Sequence, residues 1–466
     1  MSVTPPRASL LLLAYLAFVS LGLPDGLIGV GWPSIRADLG VPTEAVGLVL
    51  TAGTVGYLTS SVLAGFTLAR LGVGRLLAGS TVLASLALTG YASTPELALM
   101  IGCALVLGLG SGAVDSGLNA YAAGAFGPRH MTWMHACFGL GVALGPLIMT
   151  GALGAGLSWR WGYGLVAAAQ LALATAFALT VRAWRGRPAD PAVPVVTGTG
   201  PVPVRETLRL PAVWLGALAF MVYVAIEISA GLWAFLLLTE GRGLSATTAG
   251  LCVSGYWGSL FVGRVVQGVV AEGLGVGRVL RGSLLGMTAG ALLIALPAPA
   301  WVAVAGLALV GFAAAPVYPL LTLATPERVG AAHADRAIGV QIGTAGLGAA
   351  LIPGGLGVLF GHTSVALLGP ALTVLAVLLL LLHALAGRRP GPPRGEPTSR
   401  STGTGSGGPA APSTPRGTGR RPARDPAGHI VSGPVRPVVE GRYARSESVI
   451  SRRSASPAPR SAASGP

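Results

Sequence analysis

The sequence predicts an all-α membrane protein whose twelve transmembrane helices form two pseudo-symmetric six-helix bundles. Composition is the first reason: charged residues make up 10% of the chain and hydrophobic residues 52%, with a mean hydropathy of +0.70, whereas a soluble domain carries about 25% charged residues. Internal duplication is the second. LGVGRLLAGS at 71–80 returns as LGVGRVLRGS at 274–283 with eight of ten positions identical, and FGLGVALGP at 138–146 returns as AGLGAALIP at 345–353 with six of nine. The third is the count of apolar stretches, because a membrane crossing needs about 20 apolar residues at 1.5 Å each and twelve stretches meet that length.

In chain order these stretches are 9–31, 45–68, 76–92, 97–124, 131–154, 162–181, 212–238, 246–270, 279–297, 301–323, 337–360 and 364–386. The first is too long for the apolar region of a signal peptide and lacks a small-residue cleavage site, so it reads as a retained helix. The duplication divides the twelve into an N-terminal bundle, 1–181, and a C-terminal bundle, 212–386. Between them, 182–211 reads as a polar cytoplasmic linker carrying Arg182, Arg185, Arg187, Arg205 and Arg209. From Gly387 to 466 the chain turns to Pro, Gly, Ser, Thr and Arg, with too little apolar surface to offset the entropy of ordering it, so a disordered tail is expected.

Charge fixes orientation and excludes several chemistries. The formal net charge is +15, but 14 of the 31 Arg lie after Ala386 with only four acids, so the tail holds +10 of it and no nucleic-acid partner is implied. The Arg-rich tail reads either as a solvated extension or as one that touches anionic lipid headgroups. With the N-terminus inside, cytoplasmic loops and the N-terminal stub carry thirteen Arg before the tail, against Arg36, Arg160 and Arg242 outside. By the positive-inside rule both termini are then cytoplasmic, in the cell membrane. The chain has no Lys, which removes a Walker A loop and any Schiff base. Cys103, Cys137 and Cys252 lie singly in apolar segments and read as packing residues. Six His without ligand spacing imply no metal, and no cofactor or enzymatic activity is expected.

Ionisable side chains inside a bilayer cost a few kcal/mol each, so those present usually face a cavity or a partner. Three carboxylates stand out: Asp25 in LPDGLIG, Asp115 in GSGAVDSGLNA and Glu227 in VAIEISAG, on the first, fourth and seventh spans. Asp25 and Glu227 are 202 residues apart, which makes them approximate repeat mates. A buried carboxyl group holds its proton toward neutral pH, as proton coupling requires; the alternative for each is a helix cap or a structural pair. Asn119, one turn after Asp115, offers a donor and an acceptor to a polar solute. His135, Tyr223, Trp257, Tyr318 and Gln341 are further candidates for lining a solute cavity, against the plainer reading of helix packing.

GFTLARLGVGR at 65–75 resembles the cytoplasmic loop motif of the major facilitator superfamily, with Ala69 where that motif has an acid; the second copy, GVVAEGLGVGR at 268–278, keeps the acid as Glu272 but has Gly273 in place of the Arg. The resemblance covers 9–386 and implies a gating role for Arg70, Arg264 and Glu272. Three segments further resemble the fucose/proton symporter family. GSGAVDSGLNA is similar to its fourth-helix segment, with Asp115 where the family usually has Glu; PDGLIGVGWP is similar to its first-helix segment, with Asp25 at the second protonation site; HACFGLGVALGP is similar to its fifth-helix segment, with His135 where the fucose carrier has an amide. These resemblances imply a secondary transporter, a monomer, moving a small polar solute, a sugar, together with protons. Two alternatives stand beside it. GVALGPLIMTG at 141–151 partly matches the GxxxGP element of proton/drug antiporters, which implies export, and a carrier-like body that binds without flux would be a sensor.

Overall fold

The computed structural model describes residues 8–126, 128–184 and 203–386, with backbone alone at 128–129 and 267–272. The middle of the linker, 185–202, and the tail from 387 lie outside the described residues. Among the described residues every regular element is helical, and twelve helices are long and apolar enough to cross a membrane. In order, spans 1 to 12 are Ala8–Leu39, Thr43–Leu71, Val73–Ser93, Leu97–Ala125, His130–Gly154, Trp159–Trp184, Pro211–Gly241, Ala246–Val266, Val276–Ala295, Ala300–Leu323, Ala331–His362 and Val365–Ala386.

Several spans outrun the apolar stretches that announced them. Span 1, expected to stop near 31, continues past Arg36 and Asp38 to Leu39, and span 11 starts at Ala331 rather than 337. The backbone hydrogen bonds that hold a helix do not depend on apolar side chains, so the helix ends where a stop residue permits: Gly40, at φ +64°, closes span 1. The repeated LGVGR runs have the same explanation. Gly72 and Gly275 sit at φ +71° and +82° and turn span 2 into span 3 and span 8 into span 9, a conformation that costs glycine nothing. Span 10 is broken: a helix Ala300–Ala314 gives way at Ala315 and Pro316 to a second piece, Val317–Leu323, because proline lacks the amide that would continue the ladder.

Glycines let the helix backbones touch, and they do so twice by the same rule. Gly141 on span 5 lies against the carbonyl of Val19 on span 1, and Gly348 on span 11 lies against that of Met221 on span 7. Gly112 on span 4 packs on the Tyr57 backbone and Ser60 of span 2; Gly311 on span 10 packs on the Tyr256 backbone and Ser259 of span 8. Each contact recurs about 200 residues later, so the duplication read from sequence is a duplication of packing, the close small-residue packing that membranes favour.

The two bundles meet along spans 2 and 11 and along spans 5 and 8. Gly47 abuts Gly354 and Gly250 abuts Thr150, again repeat mates, and the Ser254 hydroxyl donates to the Ala143 carbonyl at 2.6 Å. Further along spans 2 and 11, Gly346 still touches Thr54 and Leu58, but a Cβ at Gly65, Gly339 or Gly343, on the same helix faces, would meet nothing within 4 Å. The spans therefore converge at the end where spans 1 and 2 join and part toward the end where spans 2 and 3 join. An ion pair at the convergent end, Arg36 Nη2 to Glu240 Oε1 at 3.3 Å, links span 1 to span 7.

Candidate functional site

Where the bundles part, polar side chains of spans 1, 2, 4, 5, 7, 8 and 10 face one another across the middle of the molecule. Asp25 sits on span 1 between buried Pro24 and Gly26, in a run from Ser20 to Trp32 whose other residues are all buried, yet its own side chain is exposed. A carboxylate surrounded by packed helix and still reached by solvent is lining an internal space. Its field reaches Tyr57, Tyr91 and Tyr163, and the Tyr163 hydroxyl is buried with no hydrogen-bond partner among the described residues.

Asp115 on span 4 is held on both oxygens. The Tyr57 hydroxyl of span 2 donates to Oδ2 at 2.7 Å, and Asn119 Nδ2 donates to Oδ1 at 3.0 Å. The second contact follows from the helix period, which stacks residues four apart on one face; the first follows from the close approach of spans 2 and 4 at Gly112. Asn119 keeps its own oxygen buried and, among the described residues, without a partner. His135 on span 5 is exposed, its ring edge-on to Phe18 at 5.3 Å.

On the C-terminal side Glu227 of span 7 accepts from the Tyr223 hydroxyl, and its backbone carbonyl accepts from Tyr256 of span 8 at 2.7 Å. Arg264 of span 8 stands 3.8 Å from the Glu227 carboxylate. Tyr318, on the second piece of span 10, packs edge-on against Phe220 at 5.1 Å and lies within the fields of both Asp115 and Glu227. The break at Pro316 is what positions it.

The candidates that the sequence singled out therefore sort by location. Asp25, Asp115, Asn119, His135, Tyr223, Glu227 and Tyr318 come together at the centre. Arg264 joins them there and not at a loop gate, because it lies ten residues before the turn at Leu274. Gln341 is elsewhere: it is 3% exposed, accepts from Thr325 at 3.1 Å and packs on Gly216, inside the C-terminal bundle. Trp257 is 7% exposed and fills the space over Gly231, edge-on to Tyr256. Arg70 lies over the Phe66 ring of its own helix, 4.0 Å from the centroid, at the parted end. The side chain of Glu272 lies outside the described residues. Sequence reading missed Tyr57 and Tyr256, 199 residues apart; the spacing of Gly112 and Gly311, also 199, was the signal that would have paired them.

A space lined by acids between two like bundles is the arrangement of an alternating-access carrier, and comparison with known proteins decides the family. The sequence profile of the Major Facilitator Superfamily matches residues 14–245 and, a second time, 215–445. The chain belongs to the major facilitator superfamily. Over 379 residues this major facilitator protein is 27% identical to an uncharacterised MFS-type transporter of Yersinia pestis, spanning 80% of the present chain and 93% of that one. Its fold is similar to the crystal structure of a point mutant of the nucleoside transporter NupG, with a TM-score of 0.68 at 15% identity, over 82% of this chain and all of the other. It is an MFS transporter, a multi-pass membrane protein.

Proposed function

We propose that this transporter is a proton-coupled symporter that imports a small polar solute bearing a sugar, free or as the ribose of a nucleoside. The observation that carries the reading is Asp115: a carboxylate on a membrane-spanning helix, with both oxygens held by side chains of this chain. In this reading its two donors steady the charged form after the proton has left. Asp25 serves as the second proton site, and Glu227 as its counterpart in the other bundle. The solute sits beside Asn119, whose unpartnered oxygen accepts a hydroxyl, with His135, Tyr223 and Tyr318 around it. The sugar expectation comes from the sequence resemblance, and the nucleoside named for the fold neighbour carries a sugar too.

In this reading residues 1–181 and 212–386 are the rocking bundles, joined by a cytoplasmic linker, in the cell membrane with both termini inside. The convergent end is then the external face and the parted end the cytoplasmic one. The protein acts as a monomer, and the tail reaches anionic headgroups. Proton and solute enter from outside, the bundles rock, and both leave inward. The GVALGP run gives no weight to export, because Gly141 and Gly145 are accounted for by their contacts with Val19 and Gly26 of span 1. Proteoliposomes with an imposed pH gradient, supplied with labelled L-fucose and uridine in turn, test the proposal: gradient-dependent accumulation of either is expected. Accumulation that ignores the gradient contradicts coupling, and binding without counterflow would favour a sensor.

A further inference from the structure

The duplication makes an unexpected asymmetry visible. Asp25 is matched by the acid Glu227, Tyr57 by Tyr256 and Asn119 by the polar Tyr318, each 199 to 202 residues on. At the site itself two charged groups have no such match: Asp115 corresponds to Ala314, and Arg264 corresponds to Gly65 in the register of Tyr57 and Tyr256 and to Ser61 in the register of the LGVGR repeat. The N-terminal bundle thus holds one acid too many and the C-terminal bundle one base too many, in a region where an uncompensated charge is costly.

The two unmatched charges lie on either side of the bundle boundary. Arg264 Nη1 is 3.5 Å from the position a Cβ would take on Gly139 of span 5, so the guanidinium already reaches across to the other bundle. His135 is one turn from Gly139 on the same helix face, and both Asp115 and Arg264 act electrostatically on it from opposite bundles. The hold of Glu227 on Arg264 is loose: 3.8 Å is an ion pair beyond hydrogen-bond reach, while Glu227 takes its hydrogen bond from Tyr223. A guanidinium presents five donors in a fork fitted to a carboxylate, and in this conformation Glu227 stands outside hydrogen-bond reach of that fork.

We infer that Arg264 couples the two bundles: it exchanges carboxylates, resting on Glu227 while Asp115 carries a proton and moving to Asp115 when that proton leaves for the water of the parted end. The inference rests on the reading of Asp115 as the proton carrier. Closure of the parted end brings span 8 toward span 4, which shortens the gap the guanidinium must cross. The titratable and charged groups facing the pair are Asp25 on span 1, Tyr57 on span 2, His135 on span 5, Tyr223 and Glu227 on span 7, Tyr256 on span 8 and Tyr318 on span 10. Of these only Glu227 competes for Arg264 as a paired carboxylate.

The test needs no knowledge of the solute. Spin labels at Gly65→Cys and Gly339→Cys, on the facing and open surfaces of spans 2 and 11, in an otherwise Cys-free protein in nanodiscs, report the width of the parted end by electron–electron distance measurement. The expected result is a distance distribution that shifts between about pH 5 and about pH 8, a window that brackets a perturbed buried carboxyl, and that stops shifting in Arg264→Gln and in Asp115→Asn alike. A shift in Arg264→Gln equal to that of the parent overturns the coupling role alone; no shift in the parent overturns both this inference and the proton-carrier reading. If Arg264→Gln does not fold, Glu227→Gln carries the test: with its resting partner gone, Arg264 stays with Asp115 and the shift is again lost, while an intact shift contradicts the exchange.

Discussion

At the scale of single residues, the site is a set of hydrogen bonds around Asp115, and each can be cut by itself. Tyr57→Phe leaves Oδ2 without its donor; a hydrogen bond to a charged group is worth about 1.5–3 kcal/mol, so uptake is expected to fall about tenfold or more with the protein still folded. Tyr256→Phe removes a hydroxyl that reaches only a backbone carbonyl, and its loss is expected to be smaller in the same uptake assay. Gln341→Leu provides the opposite case. It breaks the bond to Thr325 inside the C-terminal bundle, so thermal stability should drop by about 1 kcal/mol while the KM for solute stays unchanged. Much of this was legible beforehand, because Asp25, Asp115 and Glu227 are conspicuous wherever nearly everything else is apolar. Tyr57 was not, since a lone Tyr in an apolar stretch looks the same whether it packs, faces lipid or holds a carboxylate; only the approach of span 4 makes the difference. Gln341 and Trp257 had the converse fate: a polar or aromatic residue in a span has many packing partners, and sequence does not name them.

At the scale of helices, glycine decides where backbones touch. Gly141→Ala and Gly348→Ala each push a methyl group into a carbonyl of the neighbouring span, Val19 and Met221 respectively, and each should destabilise by about 1–3 kcal/mol, the cost of overpacking. Gly255→Ala, on a surface with nothing within 4 Å, serves as control and should change thermal stability by less than about 1 kcal/mol. Helix number and order could be read from apolar runs, whereas helix ends could not: hydropathy marks the hydrocarbon, and span 1 runs on through Arg36 and Asp38 until Gly40 turns the chain. The break in span 10 was foreshadowed by Pro316 and Pro319, although proline alone does not tell a kink from a full interruption.

At the scale of the molecule, two like bundles converge at one end and part at the other, and the convergent end is closed by few polar ties. Arg36 and Glu240 are 32% and 54% exposed, so their ion pair is worth about 0.2–1 kcal/mol. Charge reversal at either residue, which replaces the attraction by repulsion, should shift the balance of conformations severalfold toward an open convergent end, read by labelling of a cysteine placed at Thr43, beside Glu240, and the double reversal should restore it. The duplication itself was plain in the sequence; the asymmetry of charge laid over it emerged only when glycine contacts fixed which positions correspond. The central claim is that Asp115 carries the coupled proton, and uptake by Asp115→Asn in proteoliposomes tests it most directly. The account predicts that the variant still exchanges solute in counterflow and no longer concentrates it under a pH gradient; concentration equal to that of the parent protein would contradict it.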